Sequence, residues 1–369
     1  MESLNQPITE TFLVYKNNNP DQQGFASGGS EKVSLEQFTG NPKDRRWQHH
    51  KRDADLVAEL YQQAKEFEKR AGRMFMCAGF LVFEKVRHLE TGSTRLRLRR
   101  ANFCKNRYCP VCQWRRSLMW VSRFVETLPK VLEQHPEHPF LFLTLTVPNC
   151  PVSELRETLK SMNKAWQRLL KRKEFSAITG WVRTTEVNQE EARQEYAHPH
   201  FHVLLMVKPS YFTGKAYVKR DDWLKAWQGA MRDPSITQVD IRRVKGDLIK
   251  AVKETFKYSV KPADLVKQAR LKGETDEVFI ARIERENPWL YELTRQTNHL
   301  RYIAAGGLFK DFLKKAEKVG EESDEDLIGA AEVSDWEAIE TEPMIMARWD
   351  KNKCRYYISE ELGMGSPES

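Results

Sequence analysis

Apolar residues recur along the middle of the chain with two different periods. Runs in which alternate residues are apolar predict β-strands, and runs with apolar residues three or four apart predict helices. These patterns predict strands over 140–147, 181–187, 199–207 and 236–244, and helices over 113–133, 152–173, 221–231 and 247–259. Because the two kinds of element do not alternate strictly, they predict an α+β fold with an antiparallel sheet and helices packed on one face.

The third of these strands has two chemically different faces. Its alternate residues from Pro199 to Val207 are all apolar and predict contact with a layer of helices. His198, His200 and His202 project from the opposite face, which argues against histidines that simply fill the core.

His200 and His202 are candidates for a metal site, because two imidazoles at positions i and i+2 can bind one divalent ion. So short a motif also arises by chance, and it needs a third ligand as support. Glu186, on the preceding predicted strand, is the candidate for that ligand. Two histidines and one carboxylate suit Mg²⁺ or Mn²⁺ and also accept zinc.

The predicted helix over 247–259 places Glu254 and Tyr258 one turn apart, nearly opposite its apolar stripe. A tyrosine, with a pKa of about 10, needs a polarised phosphate or a nearby cation to act as a nucleophile. Glu254 can serve as a general base for water. Taken alone, both residues also fit an ordinary exposed surface. Three lysines around them favour the approach of phosphate: Lys253, Lys257 and Lys261.

Three of the six cysteines lie close together in the stretch ANFCKNRYCPVCQWRRS. Their spacing, C-x4-C-x2-C, favours zinc over disulfides in a chain without a secretion signal. A closed structural zinc site needs four ligands, and Cys77 is the candidate that joins Cys104, Cys109 and Cys112. Three arginines of the same stretch are candidate DNA contacts: Arg107, Arg115 and Arg116.

Charge is unevenly distributed along the chain. The net formal charge is +8, but residues 319–347 hold ten acidic side chains and no Lys or Arg, so the rest carries +18. A strongly basic body is expected of a nucleic-acid-binding protein, and the acidic stretch can compete for the same surface.

Composition divides the chain into five predicted parts. The predicted parts are a disordered polar leader (1–45), a basic Cys-rich zinc-binding module (46–135), the α+β domain (136–262), a helical extension (263–318) and an acidic C-terminal tail (319–369). No apolar run approaches the roughly 20 residues of a membrane span. The N-terminus also lacks the pattern of a signal peptide, so a cytoplasmic location is expected.

Taken together, these motifs resemble a known family. The motifs HPHFHVL, FLTLT, TTEV and KYSVK are similar to those of HUH-type replication initiators of rolling-circle plasmids. The cysteine stretch is similar to the segment that precedes the catalytic domain in one branch, which has a single catalytic tyrosine and a glutamate one turn before it. The resemblance extends from Met76 to Asp264.

The resemblance implies a site-specific DNA endonuclease and strand transferase with an HUH-endonuclease domain over 136–262. It implies that His200, His202 and Glu186 hold Mg²⁺ or Mn²⁺. Tyr258 would attack the scissile phosphate, leaving a 5′-phosphotyrosine link and a 3′-hydroxyl primer, and Glu254 would activate water at termination. The implied partners are plasmid origin DNA, single-stranded at the nick and duplex for recognition, and a host helicase. Thr144 and Thr146 would line the sheet near the site.

Three other interpretations account for some of the same residues. HPHFHVLL also fits the histidine-triad nucleotide hydrolases, in which His200 would be the nucleophile. A zinc-containing DNA-binding protein without catalytic activity would use the histidines as a second structural metal site. A transposase or relaxase of the HUH superfamily would share the catalytic residues.

Overall fold

A computed structural model describes residues 33–39, 44–89, 94–213, 216–313, 323–329 and 339–362. The helices are α1 (Leu35–Thr39), α2 (Arg45–Gln62), α3 (Glu68–Met76), α4 (Pro110–Gln134), α5 (Leu155–Leu170), α6 (Arg220–Met231), α7 (Leu248–Thr255), α8 (Pro262–Val266), α9 (Asp276–Glu286), α10 (Trp289–Thr297) and α11 (Asp324–Gly329). The strands are β1 (Phe80–His88), β2 (Thr94–Ala101), β3 (Phe140–Thr146), β4 (Cys150–Pro151), β5 (Ile178–Gln189), β6 (Tyr196–Val207), β7 (Val239–Arg243), β8 (Ile303–Gly307), β9 (Ile339–Asp350) and β10 (Arg355–Leu362). The chain is therefore a mixed helix and sheet protein, as its periodicity predicts.

The chain forms two compact units, each built from separate stretches of sequence. Of the described residues, those within 1–102, 268–287 and 338–369 form unit 1, and those within 103–267 and 288–337 form unit 2. No helix of the described residues is long and apolar enough to cross a membrane.

Unit 1 contains a four-stranded antiparallel sheet in the order β10-β9-β1-β2. Helix α2 contributes a buried ion pair in which Lys51 Nζ lies 2.6 Å from Asp55 Oδ1. Trp349 of β9 donates its indole N–H to the same carboxylate over 2.8 Å. Because a buried charge is costly unless it is paired, these contacts fix how α2 packs on the sheet.

Parts of the predicted leader and acidic tail belong to unit 1. Residues 1–32 and 40–43 of the leader lie outside the described residues, but Leu35 of α1 is buried and Ser34 pairs with Tyr357 of β10. In the stretch predicted as a tail, β9 and β10 complete the sheet of unit 1 beside β1. Local composition does not reveal this pairing, because β1 and β9 are more than 200 residues apart in the sequence.

Unit 2 contains a six-stranded sheet in the order β7-β3-β6-β5-β8, with the short β4 beside β6. All of its strand pairs are antiparallel. Strand β6 lies at the centre and is buried along almost its whole length, because both of its faces are covered.

The prediction of helices on one face of the sheet needs correction. On the apolar face, α6 packs its Trp227 ring 6.3 Å from Phe201, and α5 places Asn163 against Arg183. On the histidine face, α7 contacts both β5 and β6, and α4 packs against α7. The Phe124 ring of α4 lies 5.8 Å from the ring of Phe256, the residue that follows α7. These helices therefore cover the histidine face of the sheet as well.

Part of the acidic stretch binds the basic helix α4 within unit 2. Asp326 of α11 lies 2.5 Å from Arg123, and Asp324 lies 3.2 Å from Lys105, just before α4. Arg115 of α4 donates hydrogen bonds to the carbonyls of Leu327 and Ile328 over 2.7 and 2.8 Å. The acidic helix thus neutralises some of the positive charge on this side of unit 2.

We expect Gly307→Ala to destabilise unit 2. Gly307 ends β8 with a φ of +59°, and a Cβ there would lie 2.1 Å from the carbonyl oxygen of Thr179. The positive φ and the clash together should lower the free energy of unfolding by about 2–4 kcal/mol, measured by urea denaturation.

Gly229→Ala, in α6, is the matched control. Its nearest neighbour is Arg172 Nη1 at an ordinary 3.5 Å, so alanine should raise the free energy of unfolding by about 0.5–1 kcal/mol. Equal midpoints for Gly307→Ala and the unchanged chain would contradict the prediction.

Candidate active site

Three buried side chains converge on one face of the central hairpin of the six-stranded sheet. Strands β5 and β6 pair with Glu186 opposite His200 and Thr184 opposite His202, so these side chains share a face. Glu186 Oε2 lies 2.9 Å from His202 Nε2 and 3.3 Å from His200 Nε2, and the two imidazole nitrogens are 3.1 Å apart. The structure therefore brings together the three residues predicted as metal ligands.

The geometry of this triangle suits a small divalent cation. Neighbouring ligand atoms of an octahedral ion with bonds of about 2.1 Å lie about 3 Å apart, which is close to the three distances observed. The donor set of two imidazoles and one carboxylate is also one that Mg²⁺, Mn²⁺ and related ions accept. The three residues therefore fit a single bound metal ion.

The site holds its carboxylate charged and one of its histidines neutral. Burial by itself would raise the pKa of Glu186, but hydrogen bonds from His200 and His202 and the charge of Lys257 outweigh it and lower that pKa. Burial lowers the pKa of His202, partly opposed by Glu186. An ionised carboxylate and a neutral imidazole are the forms that bind a metal.

Neighbouring groups orient both imidazole rings. His200 Nδ1 donates to the backbone carbonyl of His198 over 3.3 Å, which orients the ring so that its Nε2 faces the cluster. His202 Nδ1 lies 3.4 Å from the hydroxyl of Thr144. The His198 ring is bound instead to Asn149 Oδ1, 2.6 Å from its Nδ1, and is not one of the three converging residues.

Lys257 connects the cluster to the predicted catalytic glutamate. Its ammonium group lies 2.6 Å from Glu254 Oε1 and 3.6 Å from Glu186 Oε2. Burial by itself would lower the pKa of Lys257, but the two carboxylates outweigh it and raise that pKa. The lysine therefore stays positively charged near neutral pH and balances the negative charge of Glu186.

Tyr258 does not lie on the helix that the sequence predicts. Helix α7 ends at Thr255, because the Thr184 hydroxyl donates a hydrogen bond to the Thr255 carbonyl over 2.6 Å and the backbone leaves the helical conformation at Phe256. The next residues run along the edge of β5, where Val187 N–H donates to the Ser259 carbonyl over 2.9 Å. Half-buried Tyr258 is thus held beside the strand that carries Glu186.

The predicted DNA-contacting residues fall into two groups. Lys253 and Lys261 are exposed near Tyr258. Three arginines instead have protein partners: Arg107 donates to the carbonyl of Leu300, Arg115 to those of Leu327 and Ile328, and Arg116 to those of Lys105 and Asn106. Arg115 and Arg116 are buried, with 2% and 7% of their surface exposed, and they brace the local fold in this arrangement.

Three of the predicted zinc ligands come together within unit 2. Cys104, Cys109 and Cys112 are buried, and their Sγ atoms lie within 4.8 Å of one another. The distance from Cys104 Sγ to Cys112 Sγ is 3.6 Å. Sulfurs at two corners of a tetrahedron with Zn–S bonds of about 2.3 Å lie about 3.8 Å apart, so this spacing fits ligands of one zinc ion. Cys77 belongs to unit 1 and stays the predicted fourth ligand.

Several residues near Tyr258 have no signal in the sequence. Gln113 of α4 accepts a hydrogen bond from the Ser259 hydroxyl over 2.8 Å, although the two residues are 146 positions apart. Together with Trp120 and Tyr302 they line a cavity that also borders Tyr258. A polar residue in the first turn of an amphipathic helix, such as Gln113, does not stand out by period or motif.

The fold and the site define a mixed α and antiparallel-β protein with a buried two-histidine, one-carboxylate cluster. A family model described as Replication protein (Rep_1) matches residues 95–357. The chain belongs to this family of rolling-circle replication proteins, and the family predicted from the motifs is therefore confirmed.

Individual relatives agree with this assignment. A "Protein rep" from Streptococcus pneumoniae serotype 2 is 33% identical over 323 residues, which cover 86% of this chain and 92% of the relative. A "Protein rep" from Bacillus amyloliquefaciens is 34% identical over 333 residues, covering 81% of this chain and 93% of the relative. One from Staphylococcus aureus is 37% identical over 190 residues, covering 51% and 80%. No solved structure matches the chain.

We expect His202→Ala to weaken Mn²⁺ binding by about 100-fold or more, because it removes one of the three converging ligand atoms. Mn²⁺ titration followed by electron paramagnetic resonance measures the affinity. His198→Ala is the matched control: its ring bonds to Asn149, so its loss should change the affinity less than about threefold. Equal losses in the two variants would contradict the assignment.

We expect the purified chain to carry about one tightly held zinc ion, bound by the four cysteines. Cys109→Ala should lose it, as measured by elemental analysis after dialysis against a weak chelator. Cys150 is buried but lies outside the cluster, so Cys150→Ala should keep its zinc. Retention of zinc by Cys109→Ala would rule out this ligand set.

Proposed function

We propose that this chain initiates rolling-circle replication of a plasmid by cutting one strand of origin DNA and attaching itself to the new end. The observation that carries the proposal is the buried Glu186, His200 and His202 cluster beside the β5-bound segment that contains Tyr258. Membership of the replication protein family supports the same reading. The six-stranded sheet with its central histidine strand would then be an HUH-endonuclease domain.

His200, His202 and Glu186 would hold a divalent ion, Mg²⁺ or Mn²⁺. Such an ion draws electron density from the scissile phosphate and helps to neutralise the charge that develops there. The protein's own part is to orient the two imidazoles and to keep Glu186 ionised, and both depend on the surrounding hydrogen bonds.

Tyr258 would be the nucleophile. Its phenolic oxygen forms a bond to the phosphorus while the bond from phosphorus to the 3′-oxygen breaks. The leaving oxygen takes up a proton and becomes a 3′-hydroxyl, and the phenol proton passes to solvent. One phosphodiester is exchanged for another, so catalysis needs positioning and charge stabilisation rather than an external energy source.

Glu254 would activate water when the covalent link is hydrolysed at termination. It is exposed and its carboxylate is paired with Lys257. Lys257 also lies 3.6 Å from Glu186, one of the three proposed metal ligands. The lysine therefore holds Glu254 close to the ion that would polarise the phosphate. A carboxylate held in this way can accept a proton from water.

DNA would reach the site as a single strand at the nick and as duplex in the recognition sequence. Lys253, Lys257 and Lys261 would attract its phosphates, and Arg107 would contact the strand beside Tyr258. The cysteine cluster would hold zinc as a structural element. The chain would act in the cytoplasm, where plasmid DNA is copied, together with a host helicase.

The test is covalent capture of DNA. We expect wild-type protein to form an adduct with labelled single-stranded DNA from its replicon that survives a denaturing gel with Mn²⁺ and is absent with EDTA. Tyr258→Phe should form none, a loss of at least about 1,000-fold. Tyr217→Phe is the control, because Tyr217 is 53% exposed and lies outside the cluster. If wild type forms no adduct with oligonucleotides that tile the whole replicon, the proposal fails.

A further inference from the structure

Helix α11 packs on the basic side of helix α4 within unit 2. Its apolar anchor is Leu327, which is fully buried. Asp326 Oδ1 lies 2.5 Å from Arg123 Nη2, and Asp324 Oδ1 lies 3.2 Å from Lys105 Nζ. Both polar contacts join a carboxylate of α11 to a cation of α4 or of the segment just before it.

A third cation, Arg115, holds α11 through one edge of its guanidinium group. Its Nε donates to the Leu327 carbonyl over 2.7 Å, and its Nη2 donates to the Ile328 carbonyl over 2.8 Å. A phosphate group offers the same arrangement, because two of its oxygens can accept from one guanidinium edge. The backbone of α11 therefore occupies Arg115 in the way that a DNA phosphate can.

The carboxylates of α11 are charged and still accessible to solvent. Burial by itself would raise the pKa of Asp326, but a hydrogen bond from the Ser323 backbone and the charge of Arg123 outweigh it and lower that pKa. The side chains of Asp326 and Asp324 are 36% and 40% exposed. Ion pairs that water reaches contribute little to stability, because solvent screens them. A competing polyanion can therefore replace these contacts.

One face of α4 joins the contacts of α11 to the surroundings of Tyr258. Arg116, Trp120 and Arg123 follow one another at spacings of four and three residues, so they share a face of the helix. Arg116 and Trp120 border the same cavity as Tyr258. The Arg123 guanidinium lies 5.5 Å from the centre of the Trp120 ring. The cations that hold α11 are therefore close to the place where the proposed function puts DNA.

We propose that Lys105, Arg115 and Arg123 form a binding surface for the phosphates of single-stranded DNA, and that α11 is an internal competitor for this surface. Without DNA, the carboxylates and carbonyls of α11 take the places of phosphate oxygens. A DNA strand, with one negative charge at each nucleotide, displaces the helix and pairs with the same cations. From the proposed function, the inference takes only that the chain binds DNA.

The placement of charge on α11 favours competition over a purely structural role. The buried Leu327 and the carbonyl acceptors of Arg115 would hold the helix on α4 with uncharged residues at positions 324 and 326. Both positions instead carry aspartate, and each aspartate faces a different cation. Two anions spaced along a row of cations imitate the backbone of a nucleic acid.

The test measures how tightly a labelled mixed-sequence single-stranded oligonucleotide binds, by fluorescence anisotropy at low salt. All proteins carry Tyr258→Phe, so that no covalent link forms. Asp326→Asn keeps the size of the side chain but removes the ion pair with Arg123, and it should tighten binding by about fivefold. Leu327→Ala removes the apolar anchor of α11 without a change of charge, and it should tighten binding by at least about fivefold.

Glu325→Gln is the matched control for charge. It also removes one negative charge from α11, but Glu325 is exposed and forms no ion pair with the described cations of α4. Its affinity should stay within about twofold of that of the unchanged helix. This comparison separates the docking of α11 from the net charge of the chain.

Arg123→Gln shows where the DNA binds. In the Leu327→Ala background Arg123 is released from α11, so its loss should weaken binding by about fivefold. With α11 docked, the same change should weaken binding by less than about twofold, because Arg123 is already occupied. Circular dichroism checks that each variant folds, and Asp326→Asn replaces Leu327→Ala as the background if the latter does not.

Each outcome decides the inference. If neither Asp326→Asn nor Leu327→Ala binds DNA more tightly, α11 is a fixed part of unit 2 and the inference fails. An equal gain in Glu325→Gln would reduce the effect to net charge, and equal losses from Arg123→Gln in both backgrounds would place the DNA elsewhere; either result overturns it.

These measurements also separate the inference from the proposed function. Binding is measured without cutting, so a failed covalent capture would refute the proposed function and leave this test as decisive as before. Absence of binding by every protein in the series would overturn both.

Discussion

The register of the β5–β6 hairpin determines where the chemistry of this protein can take place. With Glu186 opposite His200, three ligand atoms from two strands lie within 3.3 Å of one another. A slip of one residue would turn Glu186 to the other face, because side chains alternate along a strand. The contacts of Thr144, Lys257 and the segment after α7 all depend on this alignment.

Charge balance explains how such a polar cluster can be buried. An ionised carboxylate at the centre of a covered sheet is costly unless charges or hydrogen bonds compensate it. Here two imidazoles contact Glu186 directly and Lys257 approaches from the end of α7. The same lysine holds Glu254, so the electrostatics of the sheet and the position of the following segment are linked.

The geometry of the cluster argues against the interpretation of the histidines as a histidine-triad site. A histidine-triad hydrolase would use His200 as a nucleophile, yet its Nε2 is directed at Glu186 and His202, and the chain belongs to a family of replication proteins.

Less positive charge is available to DNA than the composition implies. Helix α11 neutralises part of the charge of α4, and Arg115 and Arg116 bind backbone carbonyls.

Local sequence carries the elements of the fold and the chemistry of the site. Alternation along β6 separates an apolar face from a histidine face, and the spacing of three cysteines indicates a metal cluster, because both are properties of a few neighbouring residues. Tertiary structure alone decides that α7 stops at Thr255, that both faces of the sheet are covered, and that β9 pairs with β1. It also brings Gln113 to Ser259. These features depend on packing between distant segments, which no local period encodes.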